Sequence, residues 1–351
     1  MSDADCAHAL LLRVLSWNVL ANAYTDGQVA PSPSCLDWKR RSAQIFKRIG
    51  EARADILFFQ EMDMYDRYFD PALASLGLEG LYKSRTRRKP DGCAVYWNPD
   101  KWRLERFHSV DFNDFAVADA AEHGGTPEDY ARDNVALIVE LHPEGETGLQ
   151  PLVAATGHLY WSPAYDEVKQ AQAKRLVRAI DEFNKGGLPV VFGGDMNSVP
   201  GSKVYSILQG LSPEGEGAPR FRSAYSSYQS IHGSQFEADE STGSDEGDDG
   251  SLVHDGGREV HRRAARAAGE PEFTNRTNRF EGTLDYIMFE PAWFALKSLS
   301  KLPTAAELEP LGCVLGYDCP SDHTMLVADL QMRARSVAED GVCTAPQAEE
   351  G

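Results

Sequence analysis

Eight short hydrophobic runs constrain this chain more than any other feature: LRVLSWNV, ADILFF, GCAVYW, NVALIVEL, PLVAATGHLYW, LPVVFGG, GTLDYIMF and HTMLVADLQM. Each is rich in Val, Ile, Leu and aromatics and is bounded by turn residues, so each reads as a β-strand. Several are apolar throughout instead of alternating, which is the pattern of strands covered on both faces. Helical patterns lie between them. WKRRSAQIFKRIGEA sets Ile45, Phe46 and Ile49 on one stripe, and AYDEVKQAQAKRLVRAIDEF does the same with Val168, Ala171, Leu176, Ala179, Ile180 and Phe183. DPALASLG predicts a short helix with Asp70 as N-cap, Pro71 at the first helical position and a stop at Gly77. Most basic residues on these helices are expected on the solvated face. Strands and helices alternating in this way predict a layered α/β core in one large domain.

The stretch 212–272 breaks the pattern, being polar, Gly-rich and without sustained periodicity. Its run STGSDEGDDGSLVHDGG has the composition of a solvated, disordered segment, so an insertion at about 226–272 is expected, with a second loose segment at 333–351. Discounting that run matters for the formal net charge of -19, which still argues against a protein that coats duplex DNA through a basic face. Six cysteines, at 6, 35, 93, 313, 319 and 343, form no zinc-type cluster and suit a reduced intracellular setting. The acidic start MSDADCAHAL lacks the bases of a targeting peptide, and no apolar run approaches the roughly 20 residues of a membrane span. Cytoplasm is the expected location, with the nucleus as the alternative, and no membrane partner is expected.

Five short segments, each behind an apolar run, carry groups suited to phosphate or a divalent cation: SWN, FQE, GDMN, LDY and SDH. One such segment is ordinary turn chemistry. Five suggest strands delivering carboxylates, amides and an imidazole to a shared mouth, the constellation of metal-assisted phosphate-ester cleavage. Glu61 is placed to hold a hard cation, with Asn18 offering a neutral oxygen and Asp322 completing the shell. Gly193 and Gly194 are expected to let the backbone approach a ligand, while Asp195 and Asn197 project from the same side of an extended chain. Asp195 would then orient or deprotonate the attacking water, with or without a second cation, and Asn197 would donate to a phosphate oxygen. His323 is the candidate for polarising the phosphate or transferring a proton, steadied by Asp285, and His158 would bracket the phosphate from the opposite side. Pro163 and Phe280 lie within a few residues of these groups and suit a stacked base. KSRTRRKPDG, including Arg87, either tracks a nucleic-acid backbone or forms a solvated hairpin tip.

The order and wording of these segments resemble the endonuclease/exonuclease/phosphatase superfamily, and the resemblance implies one catalytic domain over 10–332. Within it LSWNVLANAY, LDWKRR, DGCAVYW, DNVALIVEL, HLYWSPAYDEVKQAQ, GDMNS, FTNRT, FEGTLDYI and PSDH resemble the branch holding the poly(A) deadenylases, nocturnin, the Angel proteins and 2′-phosphodiesterase. The resemblance implies a four-layer α/β sandwich and Mg²⁺-dependent chemistry, with Mn²⁺ as a substitute. It implies Asn18, Glu61 and Asp322 as Mg²⁺ ligands, and Asp195, also a metal ligand, with Asn197 and His323 at the second metal, nucleophile and phosphate. His158 would contact the phosphate and Asp285 would pair with His323. It implies Pro163 and Phe280 on either side of an adenine, with Asn275 of FTNRT among the substrate-binding residues. No leucine-rich-repeat region stands before the domain, so docking on a deadenylase scaffold through one is not expected. The expected activity is 3′–5′ exoribonuclease action on an RNA 3′ end, releasing 5′-AMP. The alternatives are a nucleotide or RNA-end phosphatase, or a non-catalytic RNA-binding protein. The negative charge of 241–249 near such a cleft suggests an autoinhibitory segment.

Overall fold

The computed structural model describes residues 11–145, 148–212, 214–233, 253–255, 258–316 and 318–333, and all eight runs form strands in it. One six-stranded sheet has the order β15-β16-β1-β2-β4-β3, built from Phe294–Leu299, Leu326–Met332, Leu11–Asn18, Ile56–Gln60, Gly92–Trp97 and Glu79–Ser84. A second has the order β5-β6-β7-β8-β14-β9, from Trp102–Asp111, Val135–Pro143, Leu152–His158, Val190–Asp195, Asp285–Phe289 and Arg222–Ser223. A four-stranded sheet joins β10 (Val253–Asp255), β11 (Arg258–Val260), β13 (Phe280–Gly282) and β12 (Asn275–Arg276). The strands that the apolar pattern missed in the large sheets, β3, β5, β9 and β15, are their four edges. An edge strand pairs on one side only and carries charge there, which dilutes the hydrophobic signal.

The two large sheets pack face to face. Val14, Ile56, Phe58 and Val95 from the first meet Val139, Ala154, Val191 and Ile287 from the second, all fully buried. Their sequence neighbours point the other way, as the pleat requires. Leu15, Trp17, Leu57 and Phe59 pack under Ile45 and Ile49 of the helix Trp38–Ala52, while Ile138, Val153 and Phe192 pack under Leu176 and Ile180 of the helix Asp166–Phe183. Each such side chain contributes roughly 1.5–3 kcal/mol on burial. Continuous apolar strands are therefore the signature of a sheet with a sheet on one face and a helix on the other. This is the expected four-layer sandwich.

Two sequence expectations need correction, and a third has two exceptions. Two helix cations are not solvated: Arg41 is fully buried and donates from Nε to the Pro320 carbonyl (2.7 Å) and from Nη2 to the Val19 (2.9 Å) and Leu20 carbonyls, while Lys169 donates to the Asn197 carbonyl (3.1 Å). Both lie on the flank that turns toward the strand ends, where backbone carbonyls want donors. Asp70 is not an N-cap, because a π-helical turn, Tyr65–Phe69, runs straight into Asp70–Ser75 and leaves no extended residue to cap; its carboxylate accepts from the Tyr65 and Tyr96 hydroxyls instead. Finally, the patternless stretch is anchored at both ends. Phe221 joins the outer core, Tyr225 and Tyr228 enter the inter-sheet core, and Ala265 of the helix Arg262–Ala267 is fully buried. Elements of two to six residues are too short to show periodicity. The acidic run proposed as autoinhibitory and the segment after 333 lie outside the described residues.

Candidate active site

Strand register assembles the site. β1 and β2 run parallel with Asn18 opposite Gln60, so Asn18 and the following Glu61 leave the first sheet at one end. β7 and β8 run parallel with His158 opposite Asp195, and antiparallel β14 begins at Asp285, also opposite Asp195. Asn18 closes the gap between the sheets: its Nδ2 donates to Glu61 Oε1 and to Asp195 Oδ2, both at 3.0 Å. The loop before β16 supplies Asp322 and His323, fixed by Trp17 Nε1 donating to the His323 carbonyl (3.0 Å) and by Ser321 Oγ donating to the Asn18 carbonyl (2.7 Å).

The strand-end sequences serve this geometry in a way that local patterning misreads. Gly193 and Gly194 do not face a ligand; a Cβ on Gly194 would lie 2.0 Å from the Gly157 carbonyl oxygen and one on Gly193 would lie 2.8 Å from that of Tyr286. They let β8 lie between β7 and β14. Asn197 is not on an extended chain with Asp195, for its φ is 46° and its amide N–H turns back to Asp195 Oδ1 (3.0 Å), while Nδ2 donates to the Leu159 carbonyl (2.9 Å). Glu61 also has a left-handed φ, 54°. Such conformations are costly for residues with a Cβ and concentrate at functional sites.

Charge is divided sharply across the cluster. His323 Nδ1 lies 2.8 Å from Asp285 Oδ2, and its Nε2 lies 3.7 Å from Asp195 Oδ2. Burial opposes its charge, yet Asp285, Asp195 and Asp322 around it hold its pKa well above the ordinary value. His158, 3.5 Å from Asp195 Oδ2, goes the opposite way: burial, with Arg85 and His323 adding repulsion, depresses its pKa well below the ordinary value. One imidazole is therefore cationic and the other neutral near pH 7, a separation that assigns different roles to chemically identical groups. Loss of solvent, with Asp322 beside it, pushes Glu61 up to about 7, and burial raises Asp195. Crowded carboxylates of this kind are what a divalent cation relieves. Glu61, His158 and Asp195 offer ligand atoms within 4.8 Å of one another, as do Asp195, Asp285 and His323. Asp322 Oδ1 is buried without a hydrogen-bond partner. The residues present fit a hard cation.

The eight residues expected around the cation, the nucleophile and the phosphate are brought together, with the Asn197 side-chain amide held on the Leu159 carbonyl and its backbone N–H on the Asp195 carboxylate. The outer residues divide. Pro163 is exposed at the start of the turn Pro163–Tyr165, and Phe280 is half-buried with its ring 5.4 Å from that of His261. Asn275 donates to the Asp322 carbonyl (3.1 Å) and so braces that loop. Arg87 pairs at 3.5 Å with Asp133 and is largely exposed, whereas Arg85, two residues earlier, is the cation whose charge bears on His158. Sequence reasoning also missed Thr274, whose hydroxyl donates to Asp285 Oδ2 (2.6 Å) and accepts from the Leu284 and Asp285 amides, and Gln28, which donates to Asp322 Oδ2 (3.2 Å). The FTNRT motif was the only signal for Thr274. Gln28 carried none, being a lone polar residue in a loop.

Comparison with known proteins gives the family. The chain belongs to the Endonuclease/Exonuclease/phosphatase family, whose sequence pattern matches residues 15–323. The class is that of metal-dependent hydrolases acting on phosphate esters. The chain is 28% identical over 355 residues to Carbon catabolite repressor protein 4 homolog 4 of Arabidopsis thaliana, covering 92% of this chain and 78% of that protein. It is 27% identical over 369 residues to the CCR4-Not complex 3'-5'-exoribonuclease subunit Ccr4 of Yarrowia lipolytica, covering 91% of this chain but 48% of that protein, so it spans about half of that relative's length. Among solved structures, ANGEL2, a 2',3'-cyclic phosphatase, in complex with adenosine-2',3'-vanadate, superposes with a TM-score of 0.68 at 23% identity, covering 92% of this chain and 96% of that one, and supports the fold. No helix among the described residues is long and apolar enough to cross a membrane.

Proposed function

We propose that this chain is a Mg²⁺-dependent 3′–5′ exoribonuclease that removes adenylates from an RNA 3′ end and releases 5′-AMP. The observation that carries this reading is the convergence of Glu61, His158, Asp195 and the Asp285–His323 pair on one mouth at ligand spacing. Its substrate rests on the likeness to a 3'-5'-exoribonuclease subunit and on Pro163, exposed five residues after His158 in the sequence. Glu61, Asp322 and Asn18 would hold one cation, which when bound supplies charge neutralisation at the phosphate and lowers the pKa of water. Asp195 accepts a hydrogen bond from the attacking water and orients it. His323, kept cationic by Asp285, donates from Nε2 to a non-bridging phosphate oxygen, and His158 in its neutral form faces the same phosphate. Positioning and charge neutralisation of this kind carry most of the catalysis in phosphoryl transfer.

A second reading keeps these groups and changes the ester to a cyclic or terminal phosphate. It is favoured by the likeness to ANGEL2, a 2',3'-cyclic phosphatase, at 25% identity. Purified protein incubated with Mg²⁺ and 3′-adenylated RNA should release 5′-AMP, and Glu61→Ala should abolish release. RNA left intact, with phosphate set free from NADPH or a cyclic end opened on RNA, would transfer the assignment to the second reading.

A further inference from the structure

The strand end at His158 leads into an aromatic surface that the reacting groups do not use. Trp161, three residues on, is 67% exposed, whereas the other tryptophans of the chain are buried or half-buried. It is not an isolated ring. Tyr160 lies 6.0 Å from it, and Tyr165, itself 39% exposed, lies 5.6 Å from Tyr160. The Arg132 guanidinium sits over Tyr160 at 5.0 Å and over Tyr165 at 4.3 Å. Exposed rings interleaved with a guanidinium are the make-up of surfaces on which unpaired bases stack.

This surface is tied to the candidate active site through the backbone. The His158 carbonyl accepts from Asn134 Nδ2 (2.8 Å), the Leu159 amide donates to the Asp195 carbonyl (3.0 Å), the Leu159 carbonyl accepts from Asn197 Nδ2 (2.9 Å), and the Tyr160 amide donates to Gln172 Oε1 (2.8 Å). Four consecutive groups are thereby pinned, so Trp161 is held in register with the groups around the phosphate. Three residues span at most about 11 Å of chain, close enough for a neighbouring nucleotide. From the other side, the Arg132 carbonyl accepts from Arg85 Nη2 (3.2 Å), the cation whose charge bears on His158.

We propose that Trp161, with Tyr165 and Arg132, is a stacking platform for an unpaired RNA base upstream of the nucleotide being removed. The inference rests on the exoribonuclease reading and deepens it: the platform is what makes the site prefer a strand over a single nucleotide. A protein partner suits exposed rings too, but continuity with the phosphate-binding groups and the cation over the rings favour a nucleic acid.

The test compares kcat/KM for a diadenylate and a hexaadenylate. The wild type should prefer the longer substrate, Trp161→Ala should lose about tenfold of that preference through KM, and Trp161→Phe should keep most of it. An unchanged length preference in Trp161→Ala overturns the platform. Tryptophan fluorescence provides a readout independent of turnover. Quenching by hexaadenylate in the wild type and its loss in Trp161→Phe support the platform even where neither substrate is hydrolysed, an outcome that would sink the exoribonuclease reading alone. No quenching in the wild type overturns the platform and leaves the surface to a protein partner.

Discussion

Arg41 offers the most demanding test of how the site is built. Its side chain is fully buried and donates to the carbonyls of Pro320, Val19 and Leu20, which flank Ser321–His323 on one side and follow Asn18 on the other. Arg41→Met keeps much of the volume and removes every donor. Three carbonyls then lose a partner at roughly 1–3 kcal/mol each, while the variant no longer has to bury a charge, which returns part of that loss. The net expectation is a destabilisation of about 3 kcal/mol, or a fall in Tm of roughly 6–12 °C by the scaling for domains somewhat smaller than this one. The loss should not be confined to stability. Because Arg41 ties the segments that carry Asn18 and Asp322, the Mg²⁺ concentration for half-maximal activity should rise in Arg41→Met, and Arg41→Lys, with a single ammonium in place of a fork, should recover only part of either effect. Differential scanning calorimetry and a Mg²⁺ titration of activity measure the two quantities. A variant with wild-type Tm and wild-type Mg²⁺ dependence would refute the view that a buried guanidinium braces the site.

Asp285→Asn removes the charge that holds His323 cationic while leaving a hydrogen-bonding group of the same size, so kcat should fall by roughly 10²–10⁴ with little change in KM; a drop confined to KM would contradict the assigned role. Glu270 is fully buried, with Tyr205 donating to it at 2.9 Å, and burial pushes its carboxyl up to about 7 against the pull of Ser223 and Tyr205. Its folded pKa is raised, so the protonated form is the one the fold favours: that contribution is fully present below the unfolded value near 4.5 and is lost as pH rises through about 7. Glu270→Gln, which cannot ionise, should therefore match the wild type near pH 4.5 and exceed it by up to roughly 3 kcal/mol at pH 8 in urea denaturation. A gap that does not change with pH would count against a buried ionising carboxylate.

The layers of this fold were legible in eight apolar runs because a strand between a sheet and a helix must be apolar on both faces. Edge strands were not legible, since Arg103, Glu105 and Arg106 of β5 obey solvent and not the core. In the site, Asn18, Glu61, His158 and Asp195 announced themselves by standing directly at or after strand ends, and Asp285–His323 by the chemistry of the pair. Local pattern could not tell what Gly193, Gly194 and Asn197 do, because those roles depend on neighbours from β7 and β14 more than thirty residues away in sequence.

The amino-acid sequence by itself therefore determined the class of fold and the set of charged groups available for chemistry, as both follow from periodicity and residue type. Tertiary structure alone decided which groups share an environment. The two imidazoles are identical in sequence terms and are driven in opposite directions because burial, with Arg85 and His323 adding repulsion, depresses the pKa of His158, whereas at His323 the carboxylates of Asp285, Asp195 and Asp322 outweigh burial. Likewise Arg41 reads as one more helix cation until the fold closes over it, and Trp161 as the end of one more apolar run until the fold leaves it in water. Burial and Coulomb interaction act through space, and that is the information a linear pattern does not carry.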